Sequence, residues 1–217
     1  MRLPLLALLA LPAAAGASVL YHNDFESGVI DQYWGPTAHL DQGAAFSKFM
    51  GRYSENTPVL NNAVSLTIPA GGTDTGSGTG TDSYLLTFDF YCIDSWDGNS
   101  TTSGPDEFGV RINGVFLWDY TFSNSNNSQS YPYAPTIGPT LLGYNANDKD
   151  SIYRQIQIPF SIGTATQIQI KWRSLGLLGM QDESWGIDNV TITQAPTPGS
   201  LALLGLGGLT LVRRRRR

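Results

Sequence analysis

Carboxylates crowd one short stretch of this chain. Asp94 and Asp97 bracket Ser95-Trp96, Gly98 follows, and Asp106-Glu107 close an interval rich in Gly, Ser, Asn and Thr. Oxygen donors at that density are what a hard divalent cation takes up. The spacing is not that of an EF-hand, whose loop sets its ligands at alternate positions. Asp94, Asp97, Asp106 and Glu107 therefore read either as a secondary cation site or as solvated turn carboxylates. A related run, Asp182-Glu183-Ser184-Trp185, stands near the other end of the domain. Neighbouring loops at one end of a β-sandwich can bring two such runs together.

Asp188 poses a different problem. It shares strand parity with Val190 and Ile192, which turns its carboxylate toward a core, where an unpaired charge is costly. A calcium ion held by oxygen ligands would compensate it; so would backbone N–H groups, if Asp188 sits in a turn ahead of the strand. Aromatic rings supply a third chemistry. Trp34, Trp96, Trp118, Tyr131, Tyr133 and Tyr144 lie in or near polar segments, and a sugar ring stacks on an exposed aromatic face. Most such rings are buried for their area; Trp96, Tyr131 and Tyr133 are the ones expected to remain exposed.

Catalysis finds little support. The chain has 2 histidines, His22 and His39, and neither a G-x-S-x-G elbow nor an H-E-x-x-H zinc motif. A glycosidase needs two opposed carboxylates, and although acids are available, nothing in the sequence pairs them. The chain is expected not to be an enzyme.

These residues need a scaffold, and the pattern is that of strands. Val64, Leu66 and Ile68 alternate with polar residues; so do Leu86, Phe88 and Phe90, then Ile156, Ile158 and Phe160, then Ile168, Ile170 and Trp172. Further strands fit Val19 to Glu26, Phe108 to Asn113, Val115 to Tyr120 and Trp185 to Thr193. Asn113-Gly114 is a type I′ hairpin signal. Period-two segments with one polar face, separated by turn-rich spacers, predict an all-β fold, an antiparallel two-sheet sandwich. Three long spacers, 71–83, 94–106 and 123–149, are of the kind that carries function or lacks order. Net charge is −5, which argues against nucleic acid as a partner. Cys92 is the single cysteine and sits within a strand pattern, so it reads as a buried structural residue.

The two ends read as signals rather than as fold. Met1-Arg2, an apolar run from Leu3 to Leu11 and the small residues Ala15-Gly16-Ala17 have the plan of a cleaved signal peptide, residues 1–17. The sandwich domain is then 18–194, and 195–217 a tail. Pro196 and Pro198 break any preceding strand. The apolar run from Gly199 to Val212 would cover about 21 Å as a helix, short of a hydrocarbon core of about 30 Å. Arg213, Arg214, Arg215, Arg216 and Arg217 follow and would stay on the cytoplasmic side.

This tail resembles the C-terminal sorting signal of the PEP-CTERM family: a proline motif (Pro196, Thr197, Pro198, Gly199), a short apolar helix and an arginine cluster. Pro-Thr-Pro stands where the family has Pro-Glu-Pro. The resemblance implies signal peptidase and an exosortase-type transpeptidase as processing partners, transient residence in the inner membrane, and release to the cell surface or extracellular matrix. The domain itself resembles bacterial jelly-roll domains of the carbohydrate-binding-module type, through Asn23-Asp24-Phe25-Glu26 and Ile187-Asp188-Asn189-Val190. That resemblance implies a jelly-roll-like sandwich, with a structural calcium tying first strand to last and Asp24, Glu26 and Asp188 as ligands. The expectation is an exported, non-catalytic surface or matrix protein, flanked by a signal-peptide helix and a short apolar helix. Two alternatives stand beside it. A ring-lined groove would favour a carbohydrate-binding module with a defined extracellular polysaccharide ligand. A cleft with two facing carboxylates would favour a glycan hydrolase or lyase.

Overall fold

Alternating apolar and polar side chains let a strand bury one face and solvate the other, and the chain uses that rule throughout. A computed structural model describes residues 17–43, 45–55, 62–70 and 83–195. The expected signal peptide, the sorting tail and their two helices lie outside the described residues. Within them run β1 (Ser18–Asn23), β2 (Leu40–Asp41), β3 (Phe49–Tyr53), β4 (Ala63–Pro69), β5 (Ser83–Asp94) and β6 (Glu107–Ile112). They continue with β7 (Val115–Thr121), β8 (Ile137–Thr140), β9 (Asp150–Ser161), β10 (Gln167–Leu175) and β11 (Glu183–Gln194). One sheet is ordered β2-β3-β11-β5-β9-β8, with β1 also pairing β11; the other is β4-β10-β6-β7. Every pairing is antiparallel. The chain crosses between sheets after β3, β4, β5, β7, β9 and β10, which is a jelly-roll-like two-sheet sandwich, as expected.

The core fills the space between the sheets. Leu86, Phe88 and Phe90 of β5 face Phe108 and Val110 of β6 and Ile170 and Trp172 of β10. Phe90 and Phe108 stack across the gap with centroids 4.0 Å apart. Cys92 lies in this core, and burial pushes its thiol up. Asn113 and Gly114 both adopt positive φ, 47° and 83°, the type I′ turn expected between β6 and β7.

β3, β2 and β8 depart from the alternation rule along their whole length, and β5, β9 and β11 over one half. β3 is buried on both faces except at Arg52, because a second apolar cluster of Phe46, Phe49, Tyr91, Ile93 and Ile152 covers the outside of the larger sheet. β2 has only two residues, and β8 is exposed along its length, inside the expected 123–149 spacer.

A bulge overturns the parity argument for Asp188. Pairing between β11 and β5 slips between Asp188 and Thr191, and Asn189 takes φ 51°. One inserted residue inverts the face of everything beyond it. Ile187 and Val190 thus both reach the core, while Asp188 pairs with Asp89 on the opposite, outward side of the sheet. Asn189 donates to both carboxylates through Nδ2, 3.0 Å to Asp89 and 3.3 Å to Asp188. Asn189→Ala is expected to cost about 2 kcal/mol, from hydrogen bonds to charged acceptors and a left-handed backbone that alanine resists. Asn189→Gly, which keeps the backbone, should lose less. Urea denaturation of the two variants checks the order; equal losses would remove the backbone contribution.

Candidate functional site

Two arrangements stand out, one of carboxylates and one of rings, and different elements build them. The β5–β6 loop is tied down on both sides. The Ser95 N–H and Oγ donate to the Asp182 carbonyl, each at 2.9 Å, and Trp96 Nε1 donates to the Ser184 carbonyl at 2.9 Å. Asn124 donates its side chain to the carbonyls of Cys92 and Asp94 and its backbone N–H to that of Trp96. The loop is thereby pressed against the start of β11. Asp97 and Asp106 meet Glu183 there, with ligand oxygens all within 4.8 Å of one another.

Asp106 and Glu183 are both 0% exposed. Asp106 Oδ2 accepts the Asp97 N–H, Glu183 Oε2 accepts the Leu178 N–H at 2.6 Å, and Asp97 Oδ1 accepts from Asn127 at 3.1 Å. The oxygens left over, Asp106 Oδ1 and Glu183 Oε1, are buried with no donor from outside the pair. Burial pushes the Asp106 carboxyl up to about 7, against the pull of the Asp97 N–H and with the repulsion of Asp97 added. Burial pushes Glu183 up to about 8, against the Leu178 N–H, with Asp106 repelling it.

Of the expected secondary cation site, the structure brings Asp97 and Asp106 together and parts them from the other two. Asp94 pairs instead with Arg52, Oδ2 to Nη2 at 2.8 Å. Glu107, the strand neighbour of Asp106, points the other way; burial raises its carboxyl, with Asp119 adding to the rise and Arg173 opposing it. Glu183 is the member that local spacing could not supply, although the Asp182–Trp185 run held the signal. The set drawn from the strand ends is dispersed. β1 stops at Asn23, so Asp24 and Glu26 lie exposed in the turn beyond it. Asp188 is 2% exposed, and its carboxylate accepts from Tyr91 Oη at 2.7 Å, Ser47 Oγ at 3.1 Å and the Asn189 N–H at 2.7 Å. Those donors do what a cation was expected to do.

Trp96 is the clearest correction among the rings. It is 0% exposed, wedged edge-on against Phe90 and Phe122, so it offers no face to a ligand. Tyr133 is 68% exposed, and Tyr131 is partly exposed. Gln129 holds this segment, donating Nε2 to the carbonyls of Tyr131 and Tyr133 at 3.1 and 3.4 Å. Its Oε1 accepts the Ser123 N–H at 3.0 Å and Tyr153 Oη at 3.2 Å. Tyr131 contacts Trp118, Tyr120 and Tyr133 with centroids 5.4 to 5.6 Å apart. A groove of 530 Å³ opens between these rings and the exposed residues of β9, Arg154, Gln155 and Gln157. Trp118 and Tyr120 complete its wall through the period of β7, which sets them on one face. Among the described residues, no Asp or Glu lines it.

No protein-family model and no curated protein matches the chain. Among solved structures it is similar to dimeric latent PorU from Porphyromonas gingivalis, at 14% identity and TM-score 0.42 over 77% of this chain and 13% of that one. It is similar to a family GH115 4-O-methyl-α-glucuronidase with specificity for decorated arabinogalactans, at 12% identity and TM-score 0.37 over 84% of this chain and 18% of the other. A Stig cyclase from Fischerella sp. TAU aligns at 13% identity and TM-score 0.34 over 83% of this chain and 99% of the cyclase. The chain thus spans under a fifth of the length of the first two. Likenesses this distant carry no activity across.

Proposed function

We propose that this domain is a non-catalytic, glycan-binding β-sandwich, exported and then delivered to the cell surface or extracellular matrix by its C-terminal tail. The ring-lined groove carries the reading. A pyranose presents a face of C–H bonds, slightly positive, that suits the negative face of an aromatic ring. Hydroxyls around the sugar's edge need donors and acceptors at fixed places, and Arg154, Gln155 and Gln157 border the rings. Rings set beside convergent polar groups are what a polar ligand with an apolar face requires.

A glycan-cleaving role draws less support. Glycoside hydrolysis needs a carboxyl pair at the bound sugar, whereas the groove is lined by none among the described residues, and the Asp106–Glu183 pair is shut away from solvent. His39 sets both ring nitrogens 3.0 Å from backbone carbonyls, those of Thr37 and Arg52, which fits a structural post better than a general base. Export rests on the signal-peptide features at 1–17 and on the proline motif, apolar run and arginine cluster at 196–217. These support signal peptidase and an exosortase-type transpeptidase as partners.

The test is a microarray of extracellular and cell-wall polysaccharides, followed by titration of the best binder. Wild type should bind at least one polysaccharide class. Tyr133→Ala should weaken that binding about tenfold or more, as loss of an aromatic anchor does. Because Tyr133 is so exposed, stability should shift by no more than about 0.5 kcal/mol. An array without signal, or a Tyr133→Ala variant that binds like wild type, would sink the proposal.

A further inference from the structure

We infer that Asp97, Asp106 and Glu183 form a calcium site that locks the β5–β6 loop to the start of β11, a site separate from the glycan groove. Acidic clusters are common, and proximity alone would not carry this. Two buried oxygens do. Asp106 Oδ1 and Glu183 Oε1 are sealed from water and no donor outside the pair reaches them; both side chains spend their second oxygen on a backbone N–H, and the two acids bond to each other. Buried carboxylate oxygens without donors are costly. No described ion pair relieves them, since Arg52 binds Asp94 and Arg173 binds Asp119. Carboxyls this close hold on to protons unless a cation lies between them and lets all three ionise.

The geometry suits calcium. Oxygens bound to one such ion at about 2.3–2.6 Å lie no more than about 5 Å apart, and the three carboxyl oxygens meet that limit at 4.8 Å. Three carboxylates, mono- or bidentate, supply much of a shell of about 6–8 oxygens, with room for main-chain carbonyls or water to complete it. Magnesium, smaller and slower to give up its waters, is bound by fewer protein groups. The elements joined also give the ion a purpose. Asp97 and Asp106 lie 77 or more positions before Glu183 in the chain, so one ion closes a long loop in the folded state that stays open in the unfolded chain.

The test uses the purified chain, stripped with EDTA and titrated with calcium chloride by calorimetry, with no glycan present. One calcium should bind per chain and raise the melting temperature by several degrees, because an ion that binds only the folded form stabilises it. Magnesium chloride should do so weakly. Glu183→Gln should bind calcium at least about tenfold more weakly. In EDTA that variant should melt at or above the stripped wild type, since it no longer buries an uncompensated acid; the crossover separates a lost ligand from a damaged fold. Asp24→Asn with Glu26→Gln should bind calcium like wild type. Absence of calcium binding, binding that persists unchanged in Glu183→Gln, or binding lost in the Asp24/Glu26 variant would each overturn the inference. None of these outcomes bears on the groove, whose test is sugar binding alone.

Discussion

Arg52→Met is expected to cost about 3–5 kcal/mol near pH 8 and about 1.4 kcal/mol less near pH 5. Arg52 reaches across one end of the larger sheet. It binds Asp94 and Ser184, each at 2.8 Å, and the Met180 carbonyl, and its guanidinium lies 4.2 Å over the Tyr144 ring. The Asp94 side chain is 1% exposed. Removing the cation leaves a buried carboxylate alone, which is the expensive way to break an ion pair; methionine keeps most of the stem's volume, so the loss is not one of packing.

The pH dependence identifies the cause. Burial raises Asp94 to about 7 even though Arg52 pulls it down, against about 3.9 in an unfolded chain. A carboxyl raised on folding contributes its full stability below about pH 4, and that contribution is lost as pH rises through the folded value. Without Arg52 the folded value climbs further, so the variant's deficit grows as pH rises through about 7, by up to about 1.4 kcal/mol at pH 8. Urea unfolding at the two pH values measures it. A deficit equal at both would assign the loss to the hydrogen bonds and the ring contact, not to the ion pair.

Phe90→Ala should have a comparable effect, about 3–5 kcal/mol, or a fall in melting temperature of about 6–20 °C for a domain of this size. Phe90 is fully buried. It stacks on Phe108 at 4.0 Å, meets Phe122 at 4.7 Å and Trp96 at 5.7 Å, and lies 6.0 Å from Tyr153. It therefore braces both arrangements: Trp96 anchors the carboxylate loop, and Phe122 and Tyr153 carry Tyr131. Phe90→Leu, which keeps more volume, should cost less than about 1.5–2 kcal/mol. Calorimetric melting of the pair checks the ranking. A loss below about 1 kcal/mol for alanine would mean that the neighbouring rings close the gap.

What each level of description could reveal follows from how side chains signal their surroundings. Alternation reports a strand with one wet face, and it located β4, the first part of β5, the outer half of β9 and β10. It is silent where both faces are dry. β3 stayed hidden because Phe46, Phe49 and their neighbours cover the far side of the sheet, and Tyr91, polar in the alternating pattern, is buried by the same cover. Turn chemistry is local as well, which is why Asn113-Gly114 could be read directly.

The carboxylates between Asp94 and Glu107 mark the boundary. The sequence by itself determined that acids and tryptophans recur in two separated runs, that the fold is an antiparallel sandwich, and that Cys92 is structural, because residue type and short-range period carry that information. Tertiary structure alone decided that Asp97 and Asp106 meet Glu183 while Asp94 turns to Arg52, since those partners come from distant strands. It also decided that Trp96 is sealed in the core, because its burial depends on Phe90 and Phe122 arriving from elsewhere. Asp188 shows the limit most directly. One bulge at Asn189 reversed its face, and a period of two holds only until a single extra residue enters the strand.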